Sequence, residues 1–402
     1  MDAVIYDPRD PAVIADPLPV LKRLQQADPV HWSPVLNGWV VTGYEDVKRV
    51  QLNREISADR LTPFYEHQPV ETQNSIKTLI RYLNTWVAFK DPPEHTRMRN
   101  LMNEVLTPGK AERLRPNVEA IVAYLLGKLE GRDEFDFIRE YANPLPAAII
   151  MDLLGLPRSD FDMLKDWSEM IQPFIGGATV TADKYETAER GARQLAAYFV
   201  DVIREREHAP GEDLISALLA IRDHDEALTE DEVVGSCILF LFAGHETTTN
   251  LIGNGMRAFM DHPAEREWLL ANPALIDSAV EECLRYNGPS GALVRVVKVT
   301  HQMGGKELKA GDRVFVMINA ANHDPRVFKN PEKFDITRKP NKHLTFNYGP
   351  HFCLGAQIAR LEGQVAILEA LRRFPNLRLK EPVQYMDTLV MRGTRSMLVE
   401  AG

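Results

Sequence analysis

The spacing of apolar and polar residues changes character along this chain. Near the start, VHWSPVLNGWVVT places two β-rich runs on either side of Asn37-Gly38, a pair suited to a tight hairpin turn. From about Glu94 to Asn287 the pattern is mostly helical, interrupted by Pro146, Pro157, Pro173 and the charged stretch near Asp223. From Ala292 the period shortens to that of strands. LVRVVKVTHQM, then Gly304-Gly305, then KELKAGDRVFVMIN predicts turns joining short strands. The tail, VQYMDTLVMRGTRSMLVE, predicts a hairpin turning at Arg392-Gly393. The expected fold is mainly α with a smaller β region.

Two helical stretches carry unusual residues. Thr229 with Glu232 three positions later forms a capping-box signature. The apolar run it opens continues from Val233 to Ala243, resumes through Leu251, Ile252, Met256 and Phe259, and ends near His262-Pro263. This predicts one buried helix of roughly thirty residues, yet its middle reads GHETTT. A glycine there costs about 1 kcal/mol relative to alanine, and a buried, unpaired Glu246 costs several more. On one reading the threonines bond the carbonyls four residues back and Glu246 finds an arginine. On the other, Gly244 lets a ligand approach the helix while Glu246 and Thr247 manage protons beside it.

The second stretch is FNYGPHFCLGAQIARLEGQVAILEALRRF. Ile358, Leu361, Val365, Leu368 and Leu371 recur at helical spacing, which puts Cys353 just before a helix, between Gly349 and Gly355. Free N–H groups and the dipole at a helix start favour a thiolate. That thiolate could be a nucleophile with His351 as base, a redox sensor or a metal ligand, or Cys353 could be an inert buried thiol. Zinc would need further Cys or His at cluster spacing, which this loop lacks. A lone thiolate with a glycine-lined approach suits heme iron. The other cysteines, Cys237 and Cys283, sit in apolar helical contexts and are expected to be inert.

Composition narrows the classes. The chain is 45% apolar and 26% charged, ordinary for a globular protein. No linker, repeat or low-complexity tract divides residues 1–402, so a single domain is expected. A formal net charge of −10 disfavours nucleic acid and anionic lipid as partners. The N-terminus has no signal-peptide pattern and no segment has the length of a membrane span, so a cytoplasmic location is expected.

Four motifs together resemble the bacterial soluble cytochrome P-450 family of heme-thiolate monooxygenases. Phe346-Asn347-Tyr348-Gly349-Pro350-His351-Phe352-Cys353-Leu354-Gly355 resembles its heme-binding loop, and Ala243-Gly244-His245-Glu246-Thr247-Thr248 its oxygen-activating helix. Glu282-Cys283-Leu284-Arg285 matches its Glu-x-x-Arg motif, and Asp91-Pro92-Pro93-Glu94-His95-Thr96-Arg97-Met98-Arg99 its heme-contacting segment. The chain departs from the pattern at Asn347, where glycine is usual, and at Lys333, where arginine is common. The second departure leaves open which residue completes the Glu282–Arg285 network.

The resemblance implies a cytochrome P-450 fold and heme b, with Cys353 as axial ligand of its iron. His95, Arg99, Arg295 and His351 are implied as propionate partners, and Phe346, Gly349 and Gly355 as the walls of the loop. Ala243 and Gly244 are implied to lie over the distal face, with Thr247 and Glu246 delivering protons during oxygen activation. Glu282 and Arg285 are implied to be structural. The substrate cavity is implied to include Val87, Leu239, Ala243, Leu293, Val294, Val390 and Met391, which suggests an apolar small molecule oxidised with O2. No flavin or iron–sulfur motif appears, so electrons are expected from a ferredoxin and its NAD(P)H-dependent ferredoxin reductase. Arg97, Arg360, Arg372 and Arg373 are a candidate docking patch. The competing readings are a peroxide-driven hydroxylase and a non-enzymatic heme-thiolate sensor or carrier.

Overall fold

The longest apolar run becomes the longest helix. In the computed structural model, which describes residues 4–176, 183–222 and 228–402, this central helix spans Glu230–Asp261. Both halves of the capping box form: the Glu232 N–H donates to the Thr229 hydroxyl at 3.2 Å, and the Thr229 N–H donates to the Glu232 carboxylate at 2.8 Å. The helix runs through two packed cores. Val233 to Leu241 joins one with Leu195, Phe199 and Leu218. Leu251 to Phe259 joins the other with Leu361, Val365 and Leu371. The polar stretch lies between the two, where the helix borders cavities instead of close packing.

Helices Pro144–Leu154, Lys184–His208, Ile276–Asn287 and Ala356–Arg373 pack around the central helix. A five-stranded sheet flanks them, in the order Val30–Ser33, Gly38–Val41, Arg313–Met317, Ala292–Val297, Ile56–Ser57. The expected first hairpin is present, with Ser33 opposite Gly38 and Asn37 at φ 47°. Gly304 and Gly305, at φ 58° and 73°, turn His301–Met303 into Lys306–Leu308. No helix among the described residues is long and apolar enough to cross a membrane.

Several expectations needed correction. The tail does not turn at Arg392-Gly393. Gln384–Tyr385 pairs with Thr394–Ser396, and the connection covers the residues between them. Gly393 lies against Asn250 of the central helix with no room for a side chain, so tertiary packing sets that bend. Leu398–Glu400 instead pairs with Glu134–Asp136, a short strand inside the stretch that the pattern marks as helical. Pro173 does not interrupt Phe161–Gly176. It sits in the last turn, where only one backbone bond is lost. Helices also form before Glu94, where only strands were expected: Leu18–Ala27 buries Val20, Leu21 and Leu24 on one face, and Tyr44–Leu52 buries Tyr44, Val47 and Val50. The charged stretch near Asp223 falls largely outside the described residues.

Candidate active site

The cysteine loop is shaped by backbone geometry that its residue types permit. Asn347 and Gly349 take positive φ, 64° and 75°. Asparagine tolerates that region, so the departure from glycine leaves the turn intact. A side chain on Gly349 would lie 2.6 Å from Leu52 Cδ2. The Phe352 N–H donates to the Gly349 carbonyl at 3.0 Å, and the Cys353 N–H to the Phe346 carbonyl at 2.8 Å, which closes the loop. A Cβ on Gly355 would meet nothing within 4 Å, so the space beside it is open.

That space belongs to a cavity of about 370 Å³ lined by Cys353, Phe346, His351, Gly355 and the central helix. All seven expected substrate-lining residues border it. The thiol differs from expectation. Burial pushes the Cys353 pKa up, and this outweighs the Gly355 N–H and the charges of Arg99 and Arg360, which pull it down. Cys353 lies two residues before the helix N-cap, so the helix start alone does not ionise it. A thiolate here needs a positive charge placed at the sulfur.

One end of the cavity is basic. The His95 and His351 ring centroids lie 4.1 Å apart with their planes tilted by 48°, and Arg99 and Arg295 line the same cavity. Burial and neighbouring cations hold His351 down to about 3 and lower His95, so both are neutral at pH 7. Burial also holds Arg295 down to about 10. Among the described residues, neither Arg99 nor Arg295 has a carboxylate at ion-pair distance, and His95 Nε2 has no hydrogen-bond partner. Buried cations left this way are costly unless an anion joins them. Heme meets each feature: an iron for the sulfur, two carboxylates for the basic end, and a flat apolar ring for the open space beside Gly355.

The central helix separates two cavities. Ala243, Gly244, Thr247 and Thr248 face the cysteine cavity. His245, Glu246, Thr249 and Asn250 face a second, more polar cavity of about 450 Å³. The adjacent residues Glu246 and Thr247 therefore open onto different chambers. The Thr247 hydroxyl donates to the Ala243 carbonyl at 2.7 Å and Thr249 to His245 at 3.1 Å, as the first reading of the threonines expects. Glu246 finds Gln172 rather than an arginine, accepting from its Nε2 at 2.8 Å. Burial and the charge of Glu169 push Glu246 up to about 7, against the pull of Gln172 and Lys165. Gly244 has a packing role as well, since a Cβ there would lie 3.0 Å from Ile150 Cδ1.

Glu282 and Arg285 are fully buried and bonded twice at 2.8 Å. Arg338 completes the network, donating to Glu282 at 3.1 and 3.2 Å, with Asn341 adding a bond at 3.0 Å. Lys333 contributes only its backbone carbonyl. Spacing does not reveal Arg338, because it lies in a segment without periodicity. The candidate docking arginines are all engaged: Arg97 with Glu232, Arg360 with Glu281 at 2.6 Å, Arg372 with Glu369 at 2.6 Å and Arg373 with Glu130. They do not form a free basic patch. The sequence reading also missed two ionisable cavity residues, Arg60 and Glu362.

Comparisons with known proteins agree with this geometry. A sequence profile described as Cytochrome P450 matches residues 38–272 and 268–395. The chain is 35% identical over 372 residues to the biotin biosynthesis cytochrome P450 of Bacillus subtilis, covering 92% of this chain and 91% of the relative. It is 34% identical to the vitamin D(3) 25-hydroxylase of Pseudonocardia autotrophica, covering 96% and 94%. Its structure is similar to that of P450BioI in complex with acyl carrier protein ligated to hexadec-9Z-enoic acid. The TM-score is 0.90 at 34% identity, covering 97% and 98% of the two chains.

Proposed function

The chain belongs to the cytochrome P450 family and is a heme monooxygenase; from that premise we propose how its residues divide the work. Cys353 would ligate the heme iron. His95, Arg99, Arg295 and His351 would hold the propionates, and Ala243 and Gly244 would leave room beside the ring. The observation that carries this assignment is one cavity uniting a lone cysteine, a basic end without carboxylates and an apolar roof.

When bound, heme supplies the activation of dioxygen. The surrounding residues control protons and water. The Thr247 hydroxyl spends its proton on the Ala243 carbonyl, so its lone pairs face the cavity as an acceptor. Glu246, half-protonated near neutral pH, can take a proton from the polar chamber behind the helix and release it. To serve the heme side its carboxyl must leave Gln172 and rotate past the helix. Glu282, Arg285 and Arg338 fix the segment that leads into the cysteine loop.

The substrate is an apolar small molecule, seated against Val87, Leu239, Leu293, Val294, Val390 and Met391. The hexadec-9Z-enoic acid and the vitamin D(3) named for the relatives support that class. Electrons come from a separate ferredoxin and ferredoxin reductase, in the cytoplasm, to a single-domain chain. Turnover of a bound apolar substrate tests this. Product should form with reductase, ferredoxin, NAD(P)H and oxygen, and Glu246→Gln should slow it at least tenfold. Turnover with peroxide alone, indifferent to Glu246→Gln, would contradict the proton-delivery roles.

A further inference from the structure

Charge balance in the cysteine cavity leaves one cation over. Three guanidiniums line it, those of Arg60, Arg99 and Arg295. The acidic side chain whose charge acts on this end is Asp91. It is already committed, accepting from the Ser57 hydroxyl at 2.6 Å, the Ala58 N–H at 2.9 Å and Lys298 at 3.3 Å. The other carboxyl in the cavity is Glu362. Its burial pushes it up to about 8, so it is protonated at neutral pH and adds no negative charge. The two propionates assigned above neutralise two of the three guanidiniums.

Position identifies the third. Arg99 is close enough to Cys353 for their charges to interact, and Arg295 acts on the His95–His351 pair. Both lie at the basic end. Arg60 instead reaches towards the roof. Its guanidinium donates to the Ile175 carbonyl at 2.7 Å and stacks 5.1 Å from the centroid of the Phe89 ring. Phe89, Val87 and Ile175 border the apolar part of the cavity, where substrate would lie. Among the described residues Arg60 has no carboxylate partner, and loss of water together with the charge of Arg295 holds its pKa down to about 10. The carbonyl and the ring occupy part of its donor fork and one face, leaving N–H groups free for a planar anion.

We infer that Arg60 is a specificity-determining residue that receives the carboxylate of an otherwise apolar substrate. The substrate class narrows accordingly, from any apolar molecule to an apolar chain or ring system ending in a carboxylate. This rests on the heme and substrate placement proposed above.

Equilibrium dialysis of the heme-loaded protein against dodecanoic acid and methyl dodecanoate, at pH 7, tests the inference. The acyl chain is the same in both, and only the end group differs, a carboxylate in one and a neutral ester in the other. The natural protein should bind the acid at least tenfold more tightly than the ester. Arg60→Leu should abolish that preference by weakening acid binding alone, and Arg60→Lys should keep part of it. Heme content and the carbon monoxide spectrum of both variants should match those of the natural protein, which separates this inference from the assignment of the heme site. Equal binding of acid and ester by the natural protein would overturn it. So would an equal loss of both in Arg60→Leu, since Arg60 would then only tie down the roof through Ile175. Loss of heme from both variants would make Arg60 a propionate partner and overturn it too.

Discussion

Two side chains in the middle of the molecule are placed where their chemistry can be measured separately. Thr247 faces the cysteine cavity with its lone pairs free, so its loss removes an acceptor without opening the fold. Thr247→Ala should retain heme and substrate binding but yield several-fold less product per reductant consumed, with the remainder appearing as peroxide or water. Unchanged coupling in matched assays would reject the role. Glu362 gives a stability prediction. Burial raises its pKa from 4.5 to about 8, so the folded state holds a proton that the unfolded chain releases. Stability conferred by that proton is complete below about pH 4.5 and is lost as pH rises towards 8. Glu362→Gln should therefore be the more stable protein at pH 9 by roughly 1 kcal/mol or more, with the gap closing at pH 5. Parallel urea melts at the two pH values check it, and a pH-independent difference would contradict it.

At the scale of elements, the central helix and the Glu282 network make separable predictions. Thr229→Ala removes the side-chain half of the capping box and should cost about 1 kcal/mol without touching either cavity. Arg338→Leu leaves Glu282 buried with one cation fewer, and should cost about 3 kcal/mol and loosen heme retention. Thermal melts and heme-loss rates measure both, and an Arg338→Leu protein with natural heme retention would remove Arg338 from the network. These elements also show what the sequence discloses. The central helix was legible because its cap, period and end signals all agree over a long run. The cysteine loop was legible because asparagine and glycine, which tolerate positive φ, and a cysteine precede a run with helical spacing. Arg338 and Arg60 were not, because each is a single charged residue in a short irregular segment. Their importance comes from partners far away in sequence: Glu282 for one, Ile175 and Phe89 for the other. The tail hairpin was misplaced for the same reason, since Asn250 and the strand Glu134–Asp136 determine it.

The whole molecule arranges its charges in layers. The net charge of −10 is spread over a surface where most arginines are paired with neighbouring acids, including all four of the proposed docking set. Inside, the balance reverses, and the cysteine cavity concentrates guanidiniums without ionised acids. The unloaded cavity is therefore unstable on both counts, with cations lacking anions and a thiol that burial keeps protonated. Binding heme resolves both, so the loaded protein should melt well above the unloaded one. The most direct test of the central claim is the optical spectrum of the purified, reduced protein under carbon monoxide. Ligation of the iron by Cys353 predicts the long-wavelength Soret band of a cysteinate complex, absent in Cys353→His at equal heme content. A natural protein that is folded and heme-loaded yet lacks that band would contradict the account.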